Sequence, residues 1–183
     1  CRQRANLFAA KACPMIILRS VLFNIVFYIN LILQMVVMTP FYFLAPRKTS
    51  WFVPKNWARS NHWLFRVIVG TTFEIEGLEN IPKGGYIFAP KHQSFWDVYA
   101  LLPWLADPFF ILKRELTWIP FFGWYLLKTG MIGIDRKAGI RSLKMLIRMT
   151  REEMRLGRQL VIFPEGTRRP IGAPPAYKSG VAM

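Results

Sequence analysis

Residues 20–46 form a stretch of 27 positions without one charged side chain, bracketed by Arg19 and Arg47. As a helix, the part that reaches Thr39 is about 30 Å long, close to the hydrocarbon thickness of a bilayer. Core helices of soluble proteins are usually shorter and amphipathic, so the run reads as a membrane-inserted segment. Asn24, Asn30 and Gln34 interrupt it with amides. Basic residues flank both ends, Arg2, Arg4, Lys11 and Arg19 before it and Arg47, Lys48, Lys55 and Arg59 after it, so charge asymmetry gives no orientation. Pro40, followed by Phe41, Tyr42 and Phe43, is expected to kink or end the helix in an aromatic, interface-like zone. The run is too long for a secretory signal, and no small-residue cleavage site follows it. Whether it crosses the bilayer once, or dips into one leaflet as a hairpin with a helix over 56–69, is open at this stage.

The whole chain has 183 residues, enough for one sizeable core, and is 53% apolar, 15% aromatic and only 19% charged. That composition excludes disorder. Lys and Arg number 25 against 10 Asp and Glu, a net charge of +15, which points to a membrane surface or an anionic partner. Nucleic acid is not the expected partner, because the aromatics lie within apolar runs and are not interleaved with cations as stacking platforms. Cys1 and Cys13 have neither metal-ligand spacing nor a disulfide pattern, and no metal is expected.

Beyond Gly70 the texture changes. Short apolar runs at 72–76, 86–89, 109–112, 131–134 and 160–163 read as strands, with helices over 95–105, 118–127 and 139–156 between them. The alternation predicts an α/β fold, a mostly parallel sheet flanked by helices, with sites gathered beyond the carboxyl ends of the strands. The expected division is a membrane-associated helical region over 1–70 and an α/β domain over 71–183. In the last helix Arg141, Lys144, Arg148, Arg151 and Arg155 share one face, either a solvated surface or a contact for anionic lipid headgroups.

Three clusters carry chemistry, each directly after a predicted strand. The first is Lys91-His92-Gln93-Ser94-Phe95-Trp96-Asp97. On one continuous helix His92 and Asp97 would lie about 140° apart, so they meet only if His92 is in a loop and the helix starts near Ser94. Ser94-x-x-Asp97 is itself a capping-box pattern, which leaves Asp97 either as a cap or as a partner that orients the imidazole. Paired with Asp97, His92 is a general base, and the nucleophile is the substrate's own alcohol; a triad through Ser94 is cramped and lacks a nucleophile elbow. The second cluster is Phe163-Pro164-Glu165-Gly166-Thr167-Arg168-Arg169, where Gly166 permits a tight turn, Thr167 offers a hydroxyl and Arg168 a fork for two phosphate oxygens. The third is Lys113-Arg114-Glu115.

These residues resemble the glycerophospholipid acyltransferase family, most closely its bacterial 1-acyl-glycerol-3-phosphate acyltransferases. His92 and Asp97 match the family's His-x4-Asp motif, Lys113 through Leu116, Ile119-Pro120, Phe122-Gly123-Trp124, Gly130 and Ile134-Asp135-Arg136 its second block, and Phe163 through Arg168 its third. Family members continue past the equivalent of 177–182 into a further strand block, so the α/β domain is expected to be incomplete at its C-terminal end. The resemblance implies acyl transfer from a thioester to the free hydroxyl of lysophosphatidate, giving phosphatidic acid, with no covalent acyl-enzyme. Transfer to another lysophospholipid or to glycerol-3-phosphate, or a non-catalytic lipid-binding role, are the alternatives. His92 would be the base and Asp97 its orienting partner; Lys113, Arg114 and Arg168 would hold the phosphate; Glu165 would orient a cation or the hydroxyl, beside Gly166 and Thr167. No cofactor is implied. Membrane lipids and an acyl-CoA or acyl-carrier-protein donor are the expected partners, at the cytoplasmic face of the bacterial inner membrane.

Overall fold

The computed structural model describes residues 14–135 and 139–178, and for 139–142 only the backbone. Cys1, Cys13, Arg136, the Arg141 side chain and residues 179–183 therefore lie outside the described residues.

The uncharged run forms α1, Pro14–Leu44, which passes through Pro40 instead of ending there. A proline lacks only one ladder donor, and this one sits within the last turns, where the Thr39 hydroxyl bonds the Met35 carbonyl and Tyr42 is buried against the domain. After the short α2 (Arg47–Ser50) comes α3, Phe52–Leu64, whose last turn widens into a π-turn over Phe65–Val69. α3 pairs with α1, and the seam between them is polar. Asn30 Nδ2 donates to Ser60 Oγ (2.9 Å), Gln34 Nε2 donates to Asn30 Oδ1 and Ser60 Oγ (both 2.9 Å), and Asn56 Nδ2 donates to Gln34 Oε1 (3.2 Å). Asn24 bonds back to the Ser20 carbonyl at 2.8 Å. Each amide that interrupts the apolar run thus has a partner. At the other end of the hairpin Arg19 lies against Gly70, the positive-φ residue that closes the π-turn.

The sheet is four-stranded and parallel, in the order β1-β4-β2-β3, with β1 Ile87–Phe88, β2 Pro108–Lys113, β3 Ile132–Ile134 and β4 Gln159–Val161. Phe88, Val161 and Phe110 lie level across it. Successive residues of β2 serve opposite faces. Phe109 packs with Ile132, Leu160 and the Leu146, Met149 and Met154 side chains of α6 (Gly139–Arg155). Phe110 packs on the other side, against the cluster of Phe27, Trp51, Ala58, Tyr99 and Leu102 contributed by α1, α2–α3 and α4 (Asp97–Ala100). The hairpin and α6 therefore cover opposite faces of one sheet.

Three predicted elements are corrected. Residues 72–76 are extended but pair with no strand among the described residues; Phe73 is accommodated by packing on the rings of His62 and Trp96. The helix over 95–105 shrinks to α4 followed by turns, because Pro103 cannot donate to the helical ladder. The helix over 118–127 begins only at Phe122, as α5, Phe122–Lys128. Before it lie a 3₁₀ turn, Arg114–Trp118, and a γ-turn in which the Phe122 amide bonds the Pro120 carbonyl (2.7 Å), holding Phe121 at φ 61°.

The hairpin is locked to the sheet at three places. Phe27 packs among Trp57, Phe95 and Tyr99. Further along α1, Tyr42 stacks on Tyr125 of α5 at 3.9 Å and donates to its carbonyl at 2.7 Å, while Lys128 Nζ reaches the Phe43 carbonyl. The third place is Asp107, which accepts a bidentate fork from Arg47 (2.7 and 2.9 Å), the Trp51 indole (3.0 Å) and Arg158 Nε (3.2 Å). Arg158 is only 1% exposed, and its other nitrogens bond Glu153 and the carbonyls of Pro108, Thr129 and Gly130. Burial opposes ionisation of Asp107, but the Arg47 fork and the Arg158 charge outweigh it and hold the carboxyl below its ordinary range.

Candidate active site

All three chemical clusters emerge at the carboxyl edge of the sheet. Strand order sets their spacing: β4 lies between β1 and β2, so the Phe163–Arg169 loop sits between the His92 loop and Lys113. This follows from the crossover through α6, which returns the chain to the middle of the sheet.

The loop after β1 carries His92, and Asp97 opens α4. Asp97 Oδ2 accepts the amides of Gln93 (2.6 Å) and Ser94 (2.7 Å) and faces His92 Nδ1 at 3.3 Å; Oδ1 accepts the Ser94 hydroxyl at 3.0 Å. The two roles read from sequence are thus one arrangement, since the same carboxylate caps the loop and orients the ring. Burial disfavours the ionised carboxyl, yet the Ser94 and Gln93 amides, the Ser94 hydroxyl and His92 together pull its pKa below the usual value. Ser94 spends its proton on Asp97, which is incompatible with a serine that hands its proton to His92. With Nδ1 engaged, Nε2 is the nitrogen left to accept a proton. The ring is fixed from a second side by Phe163, stacked at 4.1 Å, and the His92 carbonyl accepts the Arg169 amide at 2.8 Å.

In the loop after β4, Gly166 turns the chain with φ +65°, its amide bonding the Phe163 carbonyl. Thr167 and Arg168 are exposed, and among the described residues Arg168 makes no hydrogen bond or ion pair. Glu165, expected to orient a cation or the hydroxyl, is 2% exposed. Its Oε1 accepts the Ala176 amide (3.4 Å) and ties the following segment, while its buried Oε2 has no hydrogen-bond partner among the described residues. The same segment is tied by the Lys178 amide to the Pro164 carbonyl at 3.0 Å. Its Lys178 side chain lies over Gly166, with Nζ 3.2 Å from where a Cβ would stand. Sequence reading missed Lys178 as a site residue; the signal was its place in 177–182, noted only as a point of continuation. Lys113 closes β2 and is exposed, whereas Arg114 rests its guanidinium over the Trp118 ring at 5.5 Å. Among the described residues no group of three or more His, Cys, Asp or Glu is placed to hold a metal ion.

The site therefore combines an oriented imidazole with a neighbouring turn that exposes cations, a geometry for deprotonating a hydroxyl borne by an anionic molecule. Comparisons with known proteins agree. The chain is 40% identical over 143 residues to a 1-acyl-sn-glycerol-3-phosphate acyltransferase of Pseudomonas aeruginosa, covering 76% of this chain and 56% of that one. It is 33% identical over 171 residues to a chloroplastic 1-acyl-sn-glycerol-3-phosphate acyltransferase of Arabidopsis thaliana, covering 89% and 46%. It thus spans about half the length of these relatives. Among solved structures, the 1-acyl-sn-glycerophosphate acyltransferase of Thermotoga maritima shares the fold, with a TM-score of 0.67 at 24% identity over 90% of this chain and 68% of that one. The Acyltransferase family model matches residues 72–183, which contain every residue of the site just described, and the chain belongs to that family.

Proposed function

We propose that this protein transfers an acyl group from a thioester to the free hydroxyl of a 1-acyl-glycerol-3-phosphate, forming phosphatidic acid. The observation that carries this reading is the His92–Asp97 pair, set beside an exposed Arg168 on the adjacent strand's loop. His92 Nε2 takes the hydroxyl proton while Asp97 stabilises the imidazolium that forms. The oxygen attacks the thioester carbon, the ester C–O bond forms, the C–S bond breaks, and the departing sulfur takes the proton that His92 removed. The phosphate monoester, close to doubly charged near neutrality, is held by Arg168, Lys113 and Lys178 across the loop, with Arg114 in reach from its seat on Trp118. The names of the relatives support this acceptor.

The acceptor is a membrane lipid, and α1 supplies the contact with the membrane. It is long and apolar enough to cross a bilayer. From Phe27 to Phe43, however, it lies along the Phe110 face of the sheet, over roughly 24 Å of axis. A helix held lengthwise in this way enters one leaflet with its apolar outer face and does not cross. The donor, an acyl-CoA or acyl-carrier-protein thioester, arrives from water, which puts the working edge on the cytoplasmic side.

The test is the purified full chain in lipid vesicles, given a thioester and a panel of lysolipids with and without a phosphate monoester, with products read by mass spectrometry. Phosphatidic acid made from lysophosphatidate in preference to the other acceptors is the expected result. Equal use of acceptors lacking the phosphate would overturn the roles given to Arg168 and Lys113.

A further inference from the structure

The basic face of α6 has no part in the site just described. Lys144, Arg148, Arg151 and Arg155 point outward along one side of the helix, which is about 25 Å long. Arg148, 82% exposed, pairs with Glu152 at 3.0 Å. The other carboxylate of the helix, Glu153, is turned toward the buried Arg158 at 2.7 Å. The outer face therefore keeps four cations against one carboxylate. Beside this stripe two large apolar side chains stand in the open on one flank, Met145 at 63% and Leu156 at 71% exposure.

A lipid surface is the wrong partner for this face. α6 covers the Phe109 side of the sheet and the α1–α3 hairpin the Phe110 side, so a membrane meeting the apolar face of α1 lies across the molecule from the stripe. At the same time α6 starts from the carboxyl end of β3, the edge that carries His92, and runs back along the sheet. A molecule bound along α6 is thus on the water side and within reach of the site around one edge.

We propose that the α6 face docks an acidic carrier protein that delivers the acyl thioester on a flexible arm. This rests on the acyl-transfer reading above and specifies its donor. Charge complementarity selects the occupant: a row of cations flanked by exposed apolar side chains suits an acidic helix with an apolar edge, whereas coenzyme A gathers its charge in one compact phosphoadenosine end and would leave most of the row unpaired. The step supplied is the same one, with the carrier's thiol as the leaving group.

The test compares the full chain with a triple variant, Lys144→Glu, Arg151→Glu and Arg155→Glu, which keeps the Arg148–Glu152 pair. Circular dichroism checks that the fold is retained. With lysophosphatidate vesicles as acceptor, kcat/KM is measured for the carrier-protein thioester and the coenzyme A thioester of one acyl chain. The carrier value should fall about tenfold or more through KM, and raising salt should erode the unmodified chain's advantage, while the coenzyme A value changes less than about twofold. Flotation with anionic vesicles should be unchanged. An unaffected carrier value, an equal loss with both donors, turnover of the coenzyme A thioester with none of the carrier thioester, or loss of vesicle binding, which would mark a lipid face, each overturns the proposal. Fluorescence anisotropy of labelled acyl carrier protein separates docking from chemistry. Binding that the triple variant loses, with neither donor turned over, would sustain the docking face and sink the acyl-transfer reading; no binding by the unmodified chain sinks the docking face alone.

Discussion

α1 and α6 are the two longest helices among the described residues, and they are built with opposite polarity. α6 follows the soluble rule: Leu146, Met149 and Met154 face the sheet and cations face out. α1 reverses it on much of its surface. Leu33, Val36, Phe41 and Leu44 are exposed, while Asn30 and Gln34 turn inward to Ser60 and Asn56. One chain therefore presents an apolar surface and a basic one, and the site lies at the sheet edge that both share. The lesson concerns solvent more than fold. With α1 facing lipid, as proposed above, the seam gives these amides the partners that the outside would not offer.

If both surfaces serve one edge, the largest loss should come from the edge itself. His92→Ala is expected to lower the rate of acyl transfer by about 10²–10⁴-fold with the circular dichroism spectrum unchanged; retained turnover would break the link between the two surfaces. Next comes the joint between them. Asp107→Ala leaves the buried Arg158 with Glu153 as its one carboxylate partner among the described residues and frees Arg47, and should cost about 2–3 kcal/mol in urea unfolding. Because the folded pKa of Asp107 is depressed, its contribution is present above about pH 4, its unfolded value, and fades as pH falls through the lower folded value. The stability gap between the unmodified chain and Asp107→Asn should accordingly narrow on acidification, and a gap independent of pH would sink the ionic account.

The seam gives a smaller effect with a sharper sign. Asn30→Leu with Gln34→Leu should weaken the hairpin by about 1–2 kcal/mol, seen as faster hydrogen exchange in α3 in vesicles. A lone spanning helix would instead be better inserted, with α3 unaffected. The least effect is expected on α6, where Lys144→Ala or Arg151→Ala should move stability by less than about 0.5 kcal/mol, because these ammonium and guanidinium groups are solvated. A large change there would mean that α6 is not the open face the comparison requires.

Much of this was legible in the sequence where the signal was local. The apolar runs around Phe88, Phe110, Ile132 and Leu160 read as strands because each is bracketed by turn residues, and α6 because its apolar period is clear. The clusters at His92, Lys113 and Arg168 were placed at one edge by the α/β pattern alone. What escaped depends on distant partners. The run 72–76 has a strand's composition, but Phe73 is half-buried against rings from other elements. Asn30 and Gln34 were visible as anomalies, while Ser60 and Asn56 were not visible as their answer. Asp97 was read as cap or orienting partner, because a sequence does not show that one carboxylate has room for both. Glu165 reads as a carboxylate that orients a cation or the hydroxyl; its burial and its bond to the Ala176 amide, eleven residues on, are set by how the chain folds back and carry no local signal. Pro103 and Pro120 broke helices whose apolar period ran on across them.

The strand order also sets a timetable. β4 is the latest of the described strands in the chain and yet the one inserted between β1 and β2, and β1, which carries the His92 loop, has no ladder partner but β4 among the described residues. A chain emerging from the ribosome presents the α1–α3 hairpin long before Val161 exists, and contacts of such wide sequence separation form late. Until then His92 lacks Phe163 to stack on and Arg169 to hold its carbonyl. The nascent chain thus presents its long apolar helix before the His92 ring has its support; under the proposed function, anchoring precedes chemistry by construction.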